Sequence, residues 1–390
     1  MDELYEKLYR KLLEAMDLVG SMDKEVIYRN IDRFILEESR RSPLTLKERL
    51  ELRRRLYFSL GKLDVLEELL ADDSITEIMV NGWRDIFIER EGKLKRWEKQ
   101  FTSKAKLEDV IQQIVGDCNR VVNESSPIVD ARLANGSRVN VVLPPIALNG
   151  PILTIRRFPD HAITLEDLVK RESLTKEAAD FLKRVVAKGY SIMIGGGTSS
   201  GKTTFLNALS NHIPKDERII TIEDSAELQI QGISNLVRLE AKEANVEGNK
   251  TIRIRDLIKT VLRMRPNRII VGECRSEETL DLLQALNTGH DGSLSTAHAN
   301  SIKDMVSRLE TMVLMGVELP LEAIRRQIAS GIEILVHLGR DREGKRKVME
   351  IGEVIDYDQG EVQIHILYER DSEGQLYKKE ELFHRKKIKR

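Results

Sequence analysis

The sequence predicts an α/β protein: its larger, C-terminal part reads as a mostly parallel sheet covered by helices. Three observations carry this prediction. From residue 161 onward, apolar strands alternate with helical stretches, the pattern of strands buried on both faces by the helices that connect them. One strand, residues 191–194, leads into a glycine-rich turn and then into a helix over residues 203–209. Two other strands, in RIITIED and RIIVGE, end in carboxylates. Two changes of period upstream divide the 390 residues into a helical bundle over 1–60, a small α+β domain over 61–160 and the α/β domain over 161–390, in keeping with about 100 to 200 residues per domain.

The first sixty residues place Leu4, Leu8, Leu12 and Leu13, then Val26, Ile31, Phe34 and Ile35, then Leu50, Leu56 and Leu60 at helical spacing amid dense charge. This predicts three amphipathic helices, interrupted at Met22-Asp23 and Ser42-Pro43. In the next domain EIMVNG, DIFIERE and KLKRWEK read as short strands with turn signals at Asn81-Gly82 and Glu91-Gly92. A helix from about residue 104 to 118 follows, then the strands IVDARL, SRVNVVLPP and PILTIRRF. Beyond residue 161 the strands are SIMIGG, RIITIED, NLVRLEA, RIIVGE, GSLSTAHA and IEILVHL, with KVMEIGEVI and EVQIHILYER as an antiparallel extension. The basic end FHRKKIKR, residues 383–390, reads as a solvated, partly frayed terminus.

Composition excludes several classes. The net charge is −1 and aromatics are 5%, so neither a basic surface nor a run of stacking rings points to nucleic acid. No window approaches the ~20 apolar residues of a membrane helix, and MDELYEKLYR lacks the apolar core of a signal peptide; the expected compartment is the cytoplasm. Cys118 and Cys274 lack CxxC spacing, so neither a disulfide framework nor a zinc site is expected.

The sharpest motif is Gly196-Gly197-Thr198-Ser199-Ser200-Gly201-Lys202-Thr203, which fits GxxxxGK followed by Ser or Thr between a strand and a helix. Glycines let the backbone wrap a phosphate chain with its N–H groups inward, and the helix N-terminus adds a favourable dipole. Lys202 is expected to hold the β- and γ-phosphates and the Thr203 hydroxyl to ligand Mg²⁺. The acidic strand ends supply Glu223 and Asp224, with Glu227 just beyond, and Glu273. In a parallel sheet these ends converge on the nucleotide, where a carboxylate orients Mg²⁺ or the attacking water. His290 and His298 bracket TGHDGSLSTAHANS, a segment rich in small hydrogen-bonding groups. Their spacing fits no standard zinc pattern, and the residues alone leave open a γ-phosphate sensor or two ordinary histidines. The middle domain carries Arg132, Arg138, Arg156 and Arg157, candidates for the positive charge that phosphoryl transfer needs.

Four segments in order, GGGTSSGKTT, RIITIEDSAEL, RPNRIIVGECRSEET and TGHDGSLSTAHANS, resemble the Walker A, Asp box, Walker B and His box of the type II/type IV secretion ATPases. Through ITEIMVNG, VDARLANGSRVN and PILTIRRF the wider chain is most similar to the CpaF branch, the Tad (Flp) pilus assembly ATPases, and the resemblance covers nearly all of it. It implies a RecA-like ATPase domain behind a PAS-like middle domain. It also implies a homo-hexameric ring at the inner face of the cytoplasmic membrane, held there by an inner-membrane platform protein and coupling ATP hydrolysis to pilus assembly or secretion. The resemblance assigns Gly196, Gly197, Thr198, Ser199, Ser200, Gly201, Lys202, Thr203 and Thr204 to ATP, and Thr203, Asp224 and Glu273 to Mg²⁺. Glu223, Glu273, His290, His298, Arg132, Arg138 and Arg156 become the catalytic candidates. Glu273, at the end of a strand in Gly-Glu where many phosphate-loop proteins have Asp, is expected to reach the metal through water and Glu223 to orient the attacking water. Some relatives carry a four-cysteine zinc module, which this chain lacks the cysteines to build. The rival readings are a conjugative or effector-secretion ATPase with the same motifs, a RecA-like DNA motor, and a nucleotide switch without turnover.

Overall fold

The computed structural model describes the chain apart from residues 1–3, 6, 10, 13–23, 41–43, 47, 51, 54, 55, 57–62, 91, 134, 158–162, 243–250, 385, 389 and 390, and the side chains of 24–27. Its elements fall into two compact units, Met1–Asp160 and His161–Arg390. In the first unit, Tyr5, Leu8, Leu12, Ile31, Ile35, Leu52 and Leu56 form a buried cluster around helix α1 (Lys24–Ser39). Leu50, expected on an apolar face, is instead exposed, and Leu13 and Leu60 lie outside the described residues.

The rest of this unit is an antiparallel sheet. Strands β1 (Ile75–Asn81), β2 (Ile86–Arg90), β3 (Lys93–Arg96), β4 (Ile128–Arg132), β5 (Arg138–Val142) and β6 (Ile152–Arg156) lie in the order β3-β2-β1-β6-β5-β4. Their alternation sends Ile78, Val80, Ile86, Ile88, Val139, Val141, Leu153 and Ile155 to one face. Helices α2 (Val65–Leu70) and α3 (Lys104–Asp117) complete that core. Leu107, Val110, Ile111, Ile114 and Val115 form the buried stripe of α3, and Ser103 caps it by accepting from Lys106 N–H.

The second unit is built on a nine-stranded sheet. Its helices are α4 (Leu165–Lys170), α5 (Lys176–Ala187), α6 (Lys202–Ser210), α7 (Ile254–Val261), α8 (Glu278–Leu286), α9 (Ile302–Leu314) and α10 (Leu321–Gly331). The strands are β7 (Ile192–Gly196), β8 (Ile219–Glu223), β9 (Leu236–Glu240), β10 (Arg268–Cys274), β11 (Leu294–Ala297), β12 (Ile334–Arg340), β13 (Arg346–Asp358), β14 (Glu361–Arg370) and β15 (Leu376–Lys378). They run in the order β15-β14-β13-β12-β7-β11-β10-β8-β9. The neighbours from β12 to β9 are parallel, and β13 to β15 extend the sheet antiparallel. Successive residues of β7 feed two cores: Ile192 and Ile194 join one, Met193 the other. β7 is buried along its whole length, which is why it reads as a continuous apolar run.

In the C-terminal tail Phe383, His384 and Lys386 are exposed, as expected of a solvated end, but several of its groups are also tethered. Phe383 and His384 donate their backbone N–H groups to Glu353, itself buried, at 2.6 and 2.7 Å. Tyr190 Oη donates to the His384 carbonyl at 2.6 Å, and Lys387 Nζ donates to Glu333 at 2.8 Å. Glu353 on β13 and Glu333 just before β12 therefore tether Phe383, His384 and Lys387 within this basic end. No helix among the described residues is long and apolar enough to cross a membrane.

Candidate nucleotide and hydrolysis site

β7 ends at Gly196, and Gly197, Thr198, Ser199, Ser200 and Gly201 turn the chain into α6, which starts at Lys202. Ser199 and Gly201 have left-handed backbone, at φ 58° and 95°; glycine takes this conformation freely, serine at a cost. A Cβ on Gly196 would lie 2.4 Å from Ser200 Oγ and 2.7 Å from the Leu338 carbonyl oxygen, whereas one on Gly197 would meet nothing within 4 Å. Ser200 Oγ is buried without a hydrogen-bond partner, a polar atom that suits a polar ligand at the loop.

Lys202 is buried, and its Nζ donates to the carbonyl oxygens of Gly196 at 3.1 Å and Gly197 at 3.2 Å. It also lies 3.4 Å from His298 Nδ1 and 3.5 Å from Glu273 Oε1. His298 Nε2 is 3.2 Å from the same Glu273 oxygen. Burial, with the Lys202 charge second, holds the His298 pKa below its usual value, so the ring is neutral at pH 7. The geometry then fits one tautomer, in which Nδ1 accepts from Lys202 and Nε2–H donates to Glu273. Burial likewise lowers the Lys202 pKa against the opposing pull of Glu273. The second oxygen of Glu273 accepts from Arg275 Nε at 2.6 Å, and Arg275 Nη1 reaches Asp224 at 3.5 Å.

Glu223 closes β8 one strand away and is buried. Its Oε1 accepts from the N–H groups of Glu227 and Leu228 at 2.8 and 2.9 Å, while Oε2 is buried with no partner. Desolvation outweighs those two hydrogen bonds and pushes its pKa to about 7. On β11, Thr296 Oγ1 donates to the Gly272 carbonyl at 2.8 Å and ties that strand to β10.

The structure thus brings together Lys202, Asp224, Glu273 and His298, with Thr203 and Thr204 on the first turn of α6. His290 is not in this group. Leu294 of β11 pairs with Ile192 of β7 in parallel, so His298 follows β11 at the phosphate-loop end, while His290 precedes it. About 13 Å of strand separates the two ends, and His290 Nδ1 instead lies 3.1 Å from the Ala285 carbonyl. Arg132, Arg138 and Arg156 belong to the first unit, where they form a cross-strand row: Arg138 pairs with Arg132 on one side and with Arg156 on the other. The residues around the loop fit a triphosphate with a hard cation. Thr203, Asp224 and Glu273 offer oxygen ligands, the chemistry of Mg²⁺. Among the described residues no group of three or more His, Cys, Asp or Glu side chains stands ready as a cage, which suits an ion held largely by phosphates and water. The sequence does not single out Arg275; the available signal was its place two residues after Glu273, on the same side of extended chain.

A sheet containing the parallel run β12-β7-β11-β10-β8, with a phosphate loop after its central strand, defines a phosphate-loop protein of RecA-like fold. Sequence comparison narrows the class: residues 60–366 match the family model described as Type II/IV secretion system protein, and the chain belongs to that family. A putative conjugal transfer protein of Mycobacterium tuberculosis is 34% identical over 324 residues, 82% of this chain and 91% of that one. The type IV secretion system protein VirB11 of Brucella abortus is 35% identical over 306 residues, covering 71% of this chain and 84% of its own. In fold, the chain is similar to the pilus retraction motor PilT with bound ADP, at a TM-score of 0.55 and 20% identity over 76% of this chain and 83% of that one.

Proposed function

We propose that the chain is an ATPase motor that binds Mg·ATP at the phosphate loop and converts hydrolysis into work on a pilus or secretion machine. The observation that carries this reading is the meeting of Lys202, Glu273 and His298 within 3.5 Å of one another at the carboxyl end of a parallel sheet. A binding-only switch has no need of two acidic strand ends beside its phosphates. Lys202 exchanges its carbonyl partners for the β- and γ-phosphates. Glu223, as carboxylate, orients the attacking water and accepts its proton through Oε2. His298 senses the γ-phosphate and couples its presence to Glu273 through the contact between its Nε2 and that carboxylate. Mg²⁺, when bound, neutralises phosphate charge, and Thr203, Asp224 and Glu273 are the residues to hold it. Arg132, Arg138 and Arg156 supply positive charge to the γ-phosphate when the middle domain closes.

In this reading six copies form a ring in the cytoplasm on an inner-membrane platform protein, and the assembly serves a Tad pilus, as the resemblance to the CpaF branch favours. The names of the relatives favour a second reading, transport in a conjugative or type IV secretion machine, which the same site would power. ATP hydrolysis and light-scattering mass, measured with and without Mg·ATP and DNA, test the proposal. Turnover by a hexamer, indifferent to DNA and abolished in Lys202→Ala, is the expected result. Turnover retained in Lys202→Ala would remove the site assignment, and DNA-stimulated turnover would favour the DNA motor.

A further inference from the structure

Two arginines that no motif singles out, Arg340 and Arg346, converge on the phosphate loop from the turn between β12 and β13. Arg340 Nη2 donates to the Ser199 carbonyl oxygen at 3.1 Å, and Arg346 Nε donates to the same oxygen at 3.0 Å. They are cross-strand partners, the last residue of β12 opposite the first of β13. Like charges directly opposite one another destabilise a strand pair, so this placement is costly unless an acceptor lies between them. Ser199 O is that acceptor. The stem of Arg346 also lies over Gly201, where a Cβ would be 3.4 Å from Arg346 Cδ. Arg340 is held to its own turn by a second bond, Nη1 to the Gly344 carbonyl at 3.3 Å.

Peptide geometry gives the contact a purpose. Ser199 is the loop's non-glycine residue in the left-handed region, at φ 58°, and needs outside support there. In a trans peptide the carbonyl and the following N–H point in opposite directions. Fixing Ser199 O on two guanidinium groups therefore turns the Ser200 N–H back into the loop, where it donates to the Gly197 carbonyl at 3.3 Å. The register makes this reach unavoidable: Leu338 pairs with Gly196, so β12 runs beside β7 up to the start of the loop and Arg340 lies just past it.

We infer that Arg340 and Arg346 are positioning residues that hold the phosphate loop in its nucleotide-accepting curvature and fix two positive charges on its outer side. The inference rests on the reading of this loop as a nucleotide site. The test is binding of N-methylanthraniloyl-ADP with Mg²⁺, together with KM and kcat for ATP, in the full chain. It compares wild type, the Arg340→Ala/Arg346→Ala double variant, each single alanine variant and the Arg340→Lys/Arg346→Lys double variant. The double alanine variant is expected to bind about tenfold or more weakly, as loss of two charge-assisted hydrogen bonds implies. Its KM should rise by a similar factor while kcat at saturating ATP changes less, because bound phosphates restore the loop, and the lysine pair should recover part of the affinity. If the double alanine variant does not fold, the single variants, each leaving one guanidinium on Ser199, carry the same expectation at about threefold. Wild-type affinity and KM in folded alanine variants overturn the inference and leave the nucleotide reading standing. A wild-type chain that binds no nucleotide overturns both.

Discussion

At Glu223, two backbone N–H groups hold one carboxylate oxygen while the other is buried without a partner. The rise in its pKa from 4.5 to about 7 corresponds to roughly 3 kcal/mol of preference for the protonated form. The folded chain thus binds a proton between these values that the unfolded chain has released. Its stability contribution is complete below about pH 4.5 and is lost as pH rises through about 7. Melting curves of the nucleotide-free protein in EDTA should therefore show Glu223→Gln gaining on wild type as pH rises from 5 to 8. A constant difference between the two would mean that Glu223 does not titrate in that window. The same variant should bind ATP normally but turn over about 10² to 10⁴ times more slowly, the worth of a lost base; equal loss of binding would make its role structural. Sequence placed this acid at a strand end, but nothing in RIITIED tells that one oxygen is stranded. That depends on the packing of β10, where a Cβ on Gly272 would lie 3.0 Å from Glu223 Cγ.

Among elements, β7, its loop and α6 were legible because three local signals agree: an apolar strand, glycines at the turn and a helix with Lys202 at its first position. What surrounds them comes from far along the chain and left no local trace. Gly196 faces the Leu338 carbonyl of β12, so its lack of a side chain is set by a strand more than a hundred residues later. Gly197, its neighbour in the same motif, faces open space. Gly196→Ala is expected to cost about 1 to 3 kcal/mol, the usual cost of overpacking, and to weaken nucleotide binding through the displaced loop. Gly197→Ala should melt within about 0.5 kcal/mol of wild type. Equal melting temperatures for the two variants would show that the loop yields freely. The same long-range dependence explains His290. Its pairing with His298 looks local in TGHDGSLSTAHANS, yet the short strand β11 runs between them and carries them to opposite ends of the sheet. The tethers of the tail are hidden for a related reason: its basic run says nothing of Glu353, which accepts from the Phe383 and His384 N–H groups, or of Glu333, which accepts from Lys387.

For the whole molecule, the three candidate arginines belong to one unit and the phosphate loop to the other, so the role proposed for them is tested on the assembled protein. The sequence offers Arg132, Arg138 and Arg156 only as candidate positive charge, and the register shows them side by side, with Glu77 opposite Arg156. Burial raises the Glu77 carboxyl pKa while Arg156 pulls it down, and Glu89 opposite Glu77 continues the row, so three guanidinium groups are followed by two carboxylates. Like charges set side by side repel one another, and a triphosphate would complement the three guanidinium groups. If these residues act as arginine fingers, Arg138→Ala should lower kcat by about 10³-fold or more with little change in nucleotide affinity. Mixing then separates two routes. A subunit carrying Lys202→Ala keeps its arginines, and one carrying Arg138→Ala keeps its phosphate loop. Closure within each subunit, as proposed above, leaves both dead in a mixed ring, because neither chain owns a complete site. Delivery between subunits would instead let the intact loop of one chain meet the intact row of the next. We expect no recovery of turnover when the two inactive variants are unfolded and reassembled together; recovery approaching a quarter of wild type or more would place the arginines in the neighbouring subunit's site and make the ring itself the catalytic unit.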